Sequence, residues 1–266
     1  MVGLLWFSIK MNLEGKNIII TGGSSGIGEA TAISCAMNGA RVGIISRTKQ
    51  RLERVVNNIK DKGGEAEYHV ADLVNEEELV SGVESFIEQW GSVQGLVNNA
   101  MSISPSPISD QTIDSWKKNF AVTLDAAFLG TKTVLPSMIK NKEGSIVNVS
   151  SVVGLRGTSY LAAYGAAKSG LINFTQTSCI EGAPYVRVNC VAPGAVLTPA
   201  TKEALPTKEL IESTINNIHL KRIAEPEEIA SVINFLLSSQ SSYLTGICIV
   251  ADGGKTSDLN AGLSME

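Results

Sequence analysis

Short apolar runs alternate with helix-forming stretches along most of this chain. Each run has the length of one buried strand. Strands are predicted at residues 17–21, 41–45, 67–70, 95–98, 145–150, 187–192 and 246–250. Helices are predicted at residues 26–38, 48–62, 75–90, 112–140, 159–180 and 226–238. The alternation constrains the fold, because strands separated by helices of this length form right-handed βαβ units and a parallel sheet.

The fold class that follows is α/β, a doubly wound parallel sheet of about seven strands with helices on both faces, in a single domain. No change in composition and no long linker marks a second domain between residues 11 and 266. The helix at 112–140 is expected to bend near Pro136, and a polar, helix-prone segment at 199–222 interrupts the alternation. Ligands of such sheets bind beyond the carboxyl ends of the strands, where the strand order reverses.

The first ten residues form an apolar segment ahead of the first strand. The segment is too short to span a bilayer. It also lacks the basic leading region and the small-residue cleavage site of a signal peptide. We therefore predict an N-terminal extension over residues 1–10 and no membrane span there.

The composition argues against several classes of function. The net charge is −4, so no strongly basic balance indicates a nucleic-acid partner. The four cysteines are scattered without a CxxC pair, and the two histidines, His69 and His219, lie far apart in sequence. These spacings indicate neither a disulfide framework nor a metal site, and they are typical of a reducing, cytoplasmic setting.

A glycine-rich loop joins the first strand to the first helix. Gly22, Gly26 and Gly28 have the spacing G-x-x-x-G-x-G rather than the commoner G-x-G-x-x-G. Glycines there allow a tight turn and close helix packing, while backbone N–H groups at the helix N-terminus receive a pyrophosphate. A plain turn would also use glycines, but the place at the start of a βαβ series favours dinucleotide binding.

A tyrosine and a lysine four residues apart form a second chemical motif. Tyr164 and Lys168 lie one turn apart on one face of a predicted helix, with Ser151 thirteen residues before the tyrosine. An ammonium group stabilises a nearby phenolate and lowers the phenol pKa from about 10. A serine hydroxyl beside them can hold a carbonyl or alcohol oxygen. Together these groups can move a proton to or from an alcohol oxygen.

Six motifs, in this order, resemble those of the short-chain dehydrogenase/reductase family. They are Thr21-Gly22 with Gly26-Ile27-Gly28, Asn98-Asn99-Ala100, Ser151, Tyr164 with Lys168, Asn189 with Pro193-Gly194, and Thr245-Gly246 with Asp252-Gly253-Gly254. The resemblance covers about residues 11–255 and is closest to carbonyl reductases and 3-oxoacyl-ACP reductases. It implies a Rossmann-type NAD(P)-binding domain, reversible hydride transfer between a carbonyl and an alcohol, and a homodimer or homotetramer.

The resemblance also implies a role for individual residues. Tyr164 would be the general acid and base, Ser151 would orient the substrate oxygen, and Lys168 would lower the tyrosine pKa and hold the nicotinamide ribose. The implied cofactor-binding residues, besides Tyr164 and Lys168, are Gly22, Ser24, Ser25, Ile27, Gly28, Asp72, Leu73, Asn99, Ala100, Pro193, Gly194, Val196 and Thr198.

The end of the second strand bears on the choice between NAD(H) and NADP(H). A carboxylate there would accept hydrogen bonds from the adenosine ribose 2′-hydroxyl and repel a 2′-phosphate. This chain has Ser46 and Arg47 instead. Because a guanidinium group matches a phosphate in both charge and geometry, the sequence favours NADP(H), with NAD(H) as the alternative.

Two residues depart from the family pattern. Met101 replaces the glycine that usually follows Asn-Asn-Ala, and Thr123 stands seven residues after Trp116, where the family often has a catalytic asparagine. Asn119 falls a turn too early for that position. In the family the asparagine holds a water molecule in a proton relay, which a threonine hydroxyl can also do. Thr123 is therefore the fourth catalytic candidate.

The substrate side is predicted to be mostly apolar. Its predicted residues are Met101, Ser151, Val153, Leu155, Tyr160, Tyr164 and Ala195, the last within a substrate loop at about residues 195–222. We expect a small, apolar carbonyl or alcohol substrate. Two alternatives stay open, namely an NADP-binding scaffold or regulator with weak or no catalysis, and a C=C or C=N reductase on the same fold.

Overall fold

The computed structural model describes residues 11–258, so the predicted extension at residues 1–10 lies outside the described residues. The strands are β1 (Asn17–Thr21), β2 (Arg41–Ser46), β3 (Glu65–Val70), β4 (Gly95–Asn98), β5 (Gly144–Val149), β6 (Val186–Pro193) and β7 (Cys248–Ala251). They form one parallel, 7-stranded sheet in the order β3-β2-β1-β4-β5-β6-β7. The strand order reverses beside β1, whose two neighbours are β2 and β4.

Helices connect the strands. The α-helices are α1 (Gly26–Met37), α2 (Lys49–Asp61), α3 (Glu76–Trp90), α4 (Ile113–Phe120), α5 (Ala126–Lys140), α6 (Ala162–Gly182), α7 (Pro199–Ala204), α8 (Lys208–Asn216) and α9 (Pro226–Leu237). A π-helix (Ala121–Asp125) joins α4 to α5, and short 3₁₀ segments occur at Ile108–Asp110, Val152–Gly154 and Ser239–Ser241. No helix within residues 11–258 is long and apolar enough to cross a membrane.

The sheet has an apolar layer on each face. One layer packs α1, α2 and α9 against β1, β2, β5 and β6, and the other packs α3 and α5 against the opposite face. Alternate residues of the central strands therefore enter different layers, as Ile19 and Ile20 of β1 do. Burial on both faces explains why the strands read as continuous apolar runs. The predicted α/β fold, a single Rossmann-type domain, is confirmed.

The long predicted helix at 112–140 differs from the observed one. The α-helix continues through Pro136, and the departure from α-helical geometry lies instead in the π-helix at Ala121–Asp125. A π-turn accommodates one extra residue within a helix, and the spacing of apolar residues gives no sign of it. The irregular segment contains Thr123, whose Oγ1 accepts a hydrogen bond of 3.3 Å from the backbone N–H of Ser102.

Other boundaries also differ from the predictions. The helix predicted at 159–180 begins at Ala162, because Tyr160 has a φ of 66°, which no α-helix accommodates. The last strand begins at Cys248 rather than at Gly246, whose φ of 75° places it in the preceding turn. The polar segment at 199–222 contains two short helices, α7 and α8, and neither has a buried residue.

Candidate active site

A cavity of about 320 Å³ opens at the carboxyl ends of the strands, beside the reversal of strand order at β1. It is lined by residues 22, 24–27, 46–48, 51, 72, 73, 99–101, 122, 149–151, 164, 168, 193, 194, 196 and 198–201. The residues come from loops that follow six strands, as expected for a ligand site of an open parallel sheet. The structure therefore brings most of the predicted cofactor residues and all three of Ser151, Tyr164 and Lys168 to one cavity.

The glycine loop has no room for a side chain at Gly22 or at Gly26. Gly22 and Gly26 have φ angles of 66° and 54°, in the left-handed region that favours glycine. A Cβ atom on Gly22 would lie 3.0 Å from the Cα of Ala100, and one on Gly26 would lie 2.9 Å from the Cγ2 of Thr198. At these two positions the loop therefore presents only its backbone to the cavity.

The loop is also tied to the neighbouring strand. The side-chain amide of Asn99, which follows β4, donates to the backbone oxygens of Thr21 and Gly22 at 3.1 Å each. Gly28 does not line the cavity but packs beneath this junction. The packing is tight, since a Cβ atom on Gly28 would stand 2.3 Å from the oxygen of Gly22. The effect of Gly28 on ligand binding is one of packing beneath the loop.

The N-terminus of α1 opens onto the cavity. Ser25 occupies the N-cap position, yet its side chain makes no capping hydrogen bond, so the first N–H groups of α1 keep their donors for a ligand. This arrangement, together with the glycines at positions 22 and 26, suits the pyrophosphate of a dinucleotide. The residues present therefore fit a nicotinamide cofactor.

Two arginines line the far end of the cavity. Arg47 follows β2, and Arg51 lies in the first turn of α2. A third arginine, Arg54, binds the carboxylate of Glu29 at 2.6 and 2.7 Å instead. Among residues 11–258 neither Arg47 nor Arg51 forms a salt bridge. Their guanidinium groups are therefore available to an anionic ligand.

The hydroxyl groups of Ser24 and Ser46 meet 2.8 Å apart at the same end of the cavity. This contact joins the glycine loop to the end of β2. Asp72 and Leu73, which follow β3, complete the wall there. All four residues were predicted to bind the cofactor, and they lie together at its expected adenosine end.

Ser151, Tyr164 and Lys168 form a buried group at the other end of the cavity. The Tyr164 hydroxyl and the Ser151 side chain are hydrogen-bonded, and the two residues are each 9% exposed. The Lys168 side chain is 1% exposed, and its Nζ donates to the backbone oxygen of Val149 at 2.5 Å. The same Nζ lies 5.7 Å from the centre of the Tyr164 ring.

The pKa values in this group differ from the prediction. Burial raises the pKa of Tyr164 above 10, and the hydrogen bond with Ser151 only partly offsets it. Burial also lowers the pKa of Lys168 to about 8. Burial therefore has the largest effect on the phenol of the ligand-free protein, and the pKa of Tyr164 is raised rather than lowered. That Lys168 lowers the Tyr164 pKa during the reaction stays a prediction. Tyr164 holds its proton at neutral pH.

Thr123 does not line the cavity, whereas its neighbour Val122 does. Thr123 is 1% exposed, and its hydroxyl accepts the Ser102 N–H behind the cavity wall. Asn119, a turn earlier, is fully buried, and its Oδ1 has no hydrogen-bond partner among the described residues. A catalytic role for Thr123 stays a prediction.

The predicted substrate residues separate into two groups. Met101, Ser151 and Tyr164 line the cavity, while Val153, Leu155, Tyr160 and Ala195 do not. Tyr160 is 62% exposed, and its backbone oxygen accepts a hydrogen bond of 2.8 Å from Ser106. The backbone of Ala195 instead pairs with Ala224. Substrate contacts by these four residues stay predictions.

Several lining residues were not predicted from the sequence. They are Thr48, Arg51, Val122, Val149 and Ser150. Arg51 had a usable signal, since the first turn of a helix after the second strand faces the same strand end as Arg47. The substrate loop predicted at about residues 195–222 contributes Pro199, Ala200 and Thr201 of α7 to the cavity wall.

Comparisons with known proteins agree with this geometry. A family model described as enoyl-(acyl carrier protein) reductase matches residues 22–256. The 3-oxoacyl-(acyl-carrier-protein) reductase of Thermotoga maritima is 40% identical over 245 residues, which are 92% of this chain and 99% of that protein. The cyclopentanol dehydrogenase of Comamonas testosteroni is 32% identical, over 91% of this chain and 98% of that protein.

Solved structures share the whole fold. Levodione reductase superposes with a TM-score of 0.88 and is 31% identical, over 92% of this chain and 98% of that chain. A structure described as an NAD(P)-dependent gluconate 5-dehydrogenase from Beutenbergia cavernae, with NADP bound at low occupancy, has a TM-score of 0.90 and 32% identity. The superposition covers 94% of this chain and 100% of the gluconate 5-dehydrogenase chain.

Proposed function

Because this chain belongs to the short-chain dehydrogenase/reductase family of oxidoreductases, we propose that it uses NADP(H) to interconvert a carbonyl and a secondary alcohol on an apolar substrate. The observation that carries the proposal is the meeting of Ser151, Tyr164 and Lys168 in the cavity that the glycine loop also lines. An acid, an oxygen-binding hydroxyl and a buried cation thus stand beside a dinucleotide-binding loop.

The raised pKa of Tyr164 supports a role as general acid in carbonyl reduction. The phenol donates its proton to the substrate oxygen, and in the reverse direction the phenolate accepts it. The Ser151 hydroxyl, already paired with the phenol, donates to the same substrate oxygen. The Lys168 ammonium stabilises the phenolate that forms. It does so at short range within a buried group, where charge interactions are strong.

The cofactor supplies the hydride, and the chain supplies its binding site. Backbone N–H groups of the glycine loop and of the α1 N-terminus hold the pyrophosphate. Residues that follow β3, β4 and β6 would hold the adenine, the ribose and the nicotinamide when the cofactor binds. Among them are Asp72, Asn99 and Pro193, all of which line the cavity.

The preference for NADP(H) rests on charge at the adenosine end of the cavity. Arg47 and Arg51 line it, and no carboxylate of residues 11–258 pairs with either. Two guanidinium groups would favour a 2′-phosphate over a 2′-hydroxyl. NADP bound to the gluconate 5-dehydrogenase from Beutenbergia cavernae is consistent with this preference.

The substrate class is inferred from the wall beside Tyr164. Met101 and Val122 are apolar and line the cavity there, and Met101 is 41% exposed. A thioether adapts its shape to irregular apolar ligands. The names of the relatives include an acyl-carrier-protein reductase, a cyclopentanol dehydrogenase and levodione reductase, so both acyl chains and cyclic ketones belong in the test set.

Reduction of a C=C bond is the second candidate, because the matching family model is described as an enoyl-(acyl carrier protein) reductase. Ser151 and Tyr164 favour the carbonyl reaction, since a hydroxyl that binds oxygen and a phenol that donates a proton are the groups needed to convert a carbonyl oxygen into an alcohol. The products distinguish the candidates, as one gives an alcohol and the other a saturated carbonyl compound. A catalytically silent scaffold is the remaining alternative, and it would bind NADPH without turnover.

The test combines a substrate panel with matched variants. NADPH oxidation is followed with cyclic ketones, 3-oxoacyl thioesters and enoyl thioesters, and the products are identified by mass spectrometry. Tyr164→Phe should lower kcat by about 10²–10⁴-fold while NADPH still binds. Tyr243→Phe is the control, because this fully exposed tyrosine lies outside the cavity and was not predicted to bind the substrate. A Tyr164→Phe enzyme with at least half of the original kcat contradicts the assignment.

We also propose a cytoplasmic homodimer or homotetramer. Phe128 on α5 is 47% exposed and meets Phe174 on α6 edge-on, with ring centres 6.2 Å apart. This apolar pair suits a two-fold interface between helices. Leu171, also on α6, is buried within the subunit and so cannot belong to this pair. Light scattering that gives the monomer mass of 28.1 kDa at micromolar concentration contradicts the proposed assembly.

A further inference from the structure

Two cysteines lie side by side on neighbouring strands. Cys190 of β6 and Cys248 of β7 are register partners in the parallel sheet, so their side chains point to the same face. Asn148 of β5 is the next register partner of Cys190, and its amide donates to Thr175 of α6 at 2.9 Å. Both thiols therefore face α6, the helix that carries Tyr164 and Lys168.

The two thiols are neighbours on adjacent strands but differ in exposure. Cys190 is fully buried, and its thiol donates to the backbone oxygen of Val191 at 3.7 Å, whereas Cys248 is partly exposed. The neighbouring Cys190 lowers the pKa of the Cys248 thiol, while Cys248 and burial raise the pKa of Cys190. A partly exposed thiol with a lowered pKa is the reactive member of such a pair, because the thiolate is the nucleophile.

Cys190 also lies within electrostatic reach of the proposed active site. The charge of Lys168 and the backbone N–H of Ser150 both favour the Cys190 thiolate. Both residues line the cavity. The other two cysteines lack such surroundings, since the Cys35 thiol donates to Asn234 at 3.0 Å and the Cys179 thiol donates to the Gln176 backbone at 3.1 Å. Cys35 lies on α1 and Cys179 on α6, so neither has a partner on a neighbouring strand.

We propose that Cys190 and Cys248 form an oxidative modification site that reacts with a hydroperoxide and closes to a disulfide. The Cys248 thiolate attacks the O–O bond, which breaks as an S–O bond forms, and water or an alcohol leaves. The Cys190 sulfur then attacks the Cys248 sulfur. The S–O bond breaks, the S–S bond forms, and the hydroxide leaves as water with the Cys190 proton. The peroxide gains the two electrons that the dithiol loses.

The spacing of the strands permits this bond. Neighbouring strands lie about 4.7–4.9 Å apart, within the range of about 4.4–6.8 Å between the Cα atoms of a disulfide. Closing the bond brings the two sulfurs to about 2.05 Å from each other and takes the Cys190 sulfur away from its hydrogen bond with the Val191 oxygen. The Cys190 sulfur then shifts relative to Lys168. We therefore expect oxidation to slow turnover, a part of the inference that rests on the proposed function.

Peptide mapping tests the modification without any activity measurement. The protein is treated with hydrogen peroxide, free thiols are alkylated, and tryptic peptides are separated without reductant. Trypsin places Cys190 in residues 188–202 and Cys248 in residues 223–255. We expect these peptides linked, and separated again by dithiothreitol. Cys179→Ser should keep the link, while Cys248→Ser should abolish it. Alkylated Cys190 after oxidation, or a link to Cys179, overturns the proposal.

Turnover tests the connection to Lys168. Oxidised protein should lose roughly tenfold or more of its kcat, since small misplacements at a catalytic centre have effects of that size. Dithiothreitol should restore the rate, and Cys248→Ser should keep its rate in peroxide. A mapped disulfide with unchanged kcat refutes the connection but not the site. If the reduced protein is inactive with every substrate, the NADPH dissociation constant before and after oxidation replaces kcat.

Discussion

Replacement of Gly28 by alanine tests whether the glycine loop depends on packing beneath it. A Cβ atom at this position would stand 2.3 Å from the oxygen of Gly22 and 2.5 Å from the Nδ2 of Asn99. Ordinary contacts between heavy atoms need about 3.5–4.0 Å. The new methyl group must therefore displace the loop backbone or expel the Asn99 amide from its place.

The magnitude follows from three terms. Overpacking of a tight site costs about 1–3 kcal/mol. Loss of the two hydrogen bonds from Asn99 to Thr21 and Gly22, at 3.1 Å each, costs about 1 kcal/mol apiece. Alanine regains about 1 kcal/mol through its higher helix propensity, because Gly28 lies in α1. We expect a net loss of about 2–4 kcal/mol from an unfolding free energy of about 5–15 kcal/mol.

Urea unfolding and NADPH titration measure the two consequences. Gly28→Ala should lower the unfolding free energy by the stated amount and weaken NADPH binding, because the loop that holds the pyrophosphate is displaced. Gly157→Ala is the matched control, since a Cβ atom there meets nothing within 4 Å. If both variants unfold at the same urea concentration and bind NADPH equally, the packing role of Gly28 is wrong.

Three further predictions concern charge and polarity at the site. Arg47→Ala should weaken NADPH binding about tenfold or more and spare NADH, because a charge-assisted contact is worth about 1.5–3 kcal/mol; equal losses in titrations contradict this. Thr123→Val should lower kcat modestly while Thr123→Asn keeps it, because valine lacks the hydroxyl that accepts the Ser102 N–H; superimposable pH–rate profiles would exclude a role for the hydroxyl. The pKa of Lys168 is lowered by burial from 10.5 to about 8. Between pH values of about 8 and 10.5, Lys168 is therefore protonated in the unfolded chain and mostly neutral in the folded chain. Relative to Lys168→Met, the ligand-free protein should therefore gain stability as the pH rises through this window, and a constant difference in urea unfolding would contradict it.

Much of the fold could be predicted because the central strands of the sheet, such as β1 and β5, are buried on both faces. The predicted strand at 17–21 coincides with β1, since a short uninterrupted apolar stretch that ends at glycines is typical of a buried strand. The same reasoning locates the glycine loop and Arg47 at strand ends, where both line the cavity. The sheet topology then brings together residues far apart in sequence, such as Asn99 and Gly22.

Features set by tertiary contacts could not be predicted. The left-handed backbone of Tyr160 is held by the hydrogen bond between its oxygen and Ser106, which no local pattern reveals. The π-helix around Thr123 depends on a single extra residue within an otherwise regular helix. The direction of the Tyr164 pKa shift depends on how deeply the phenol is buried. Spacing alone gives the position of the lysine along the helix and does not give the burial of the phenol.

The two short helices α7, which lines the cavity, and α8, which follows it in the chain, have no buried residue. Elements with so little apolar burial open locally at a small fraction of the global unfolding free energy. Substitutions along residues 199–216 should therefore change the cavity wall at Pro199, Ala200 and Thr201 while leaving the sheet and its two apolar layers intact. Selection on substrate preference can act on this segment almost independently of selection on foldability, which makes it the part of the chain where new specificities can arise at least cost.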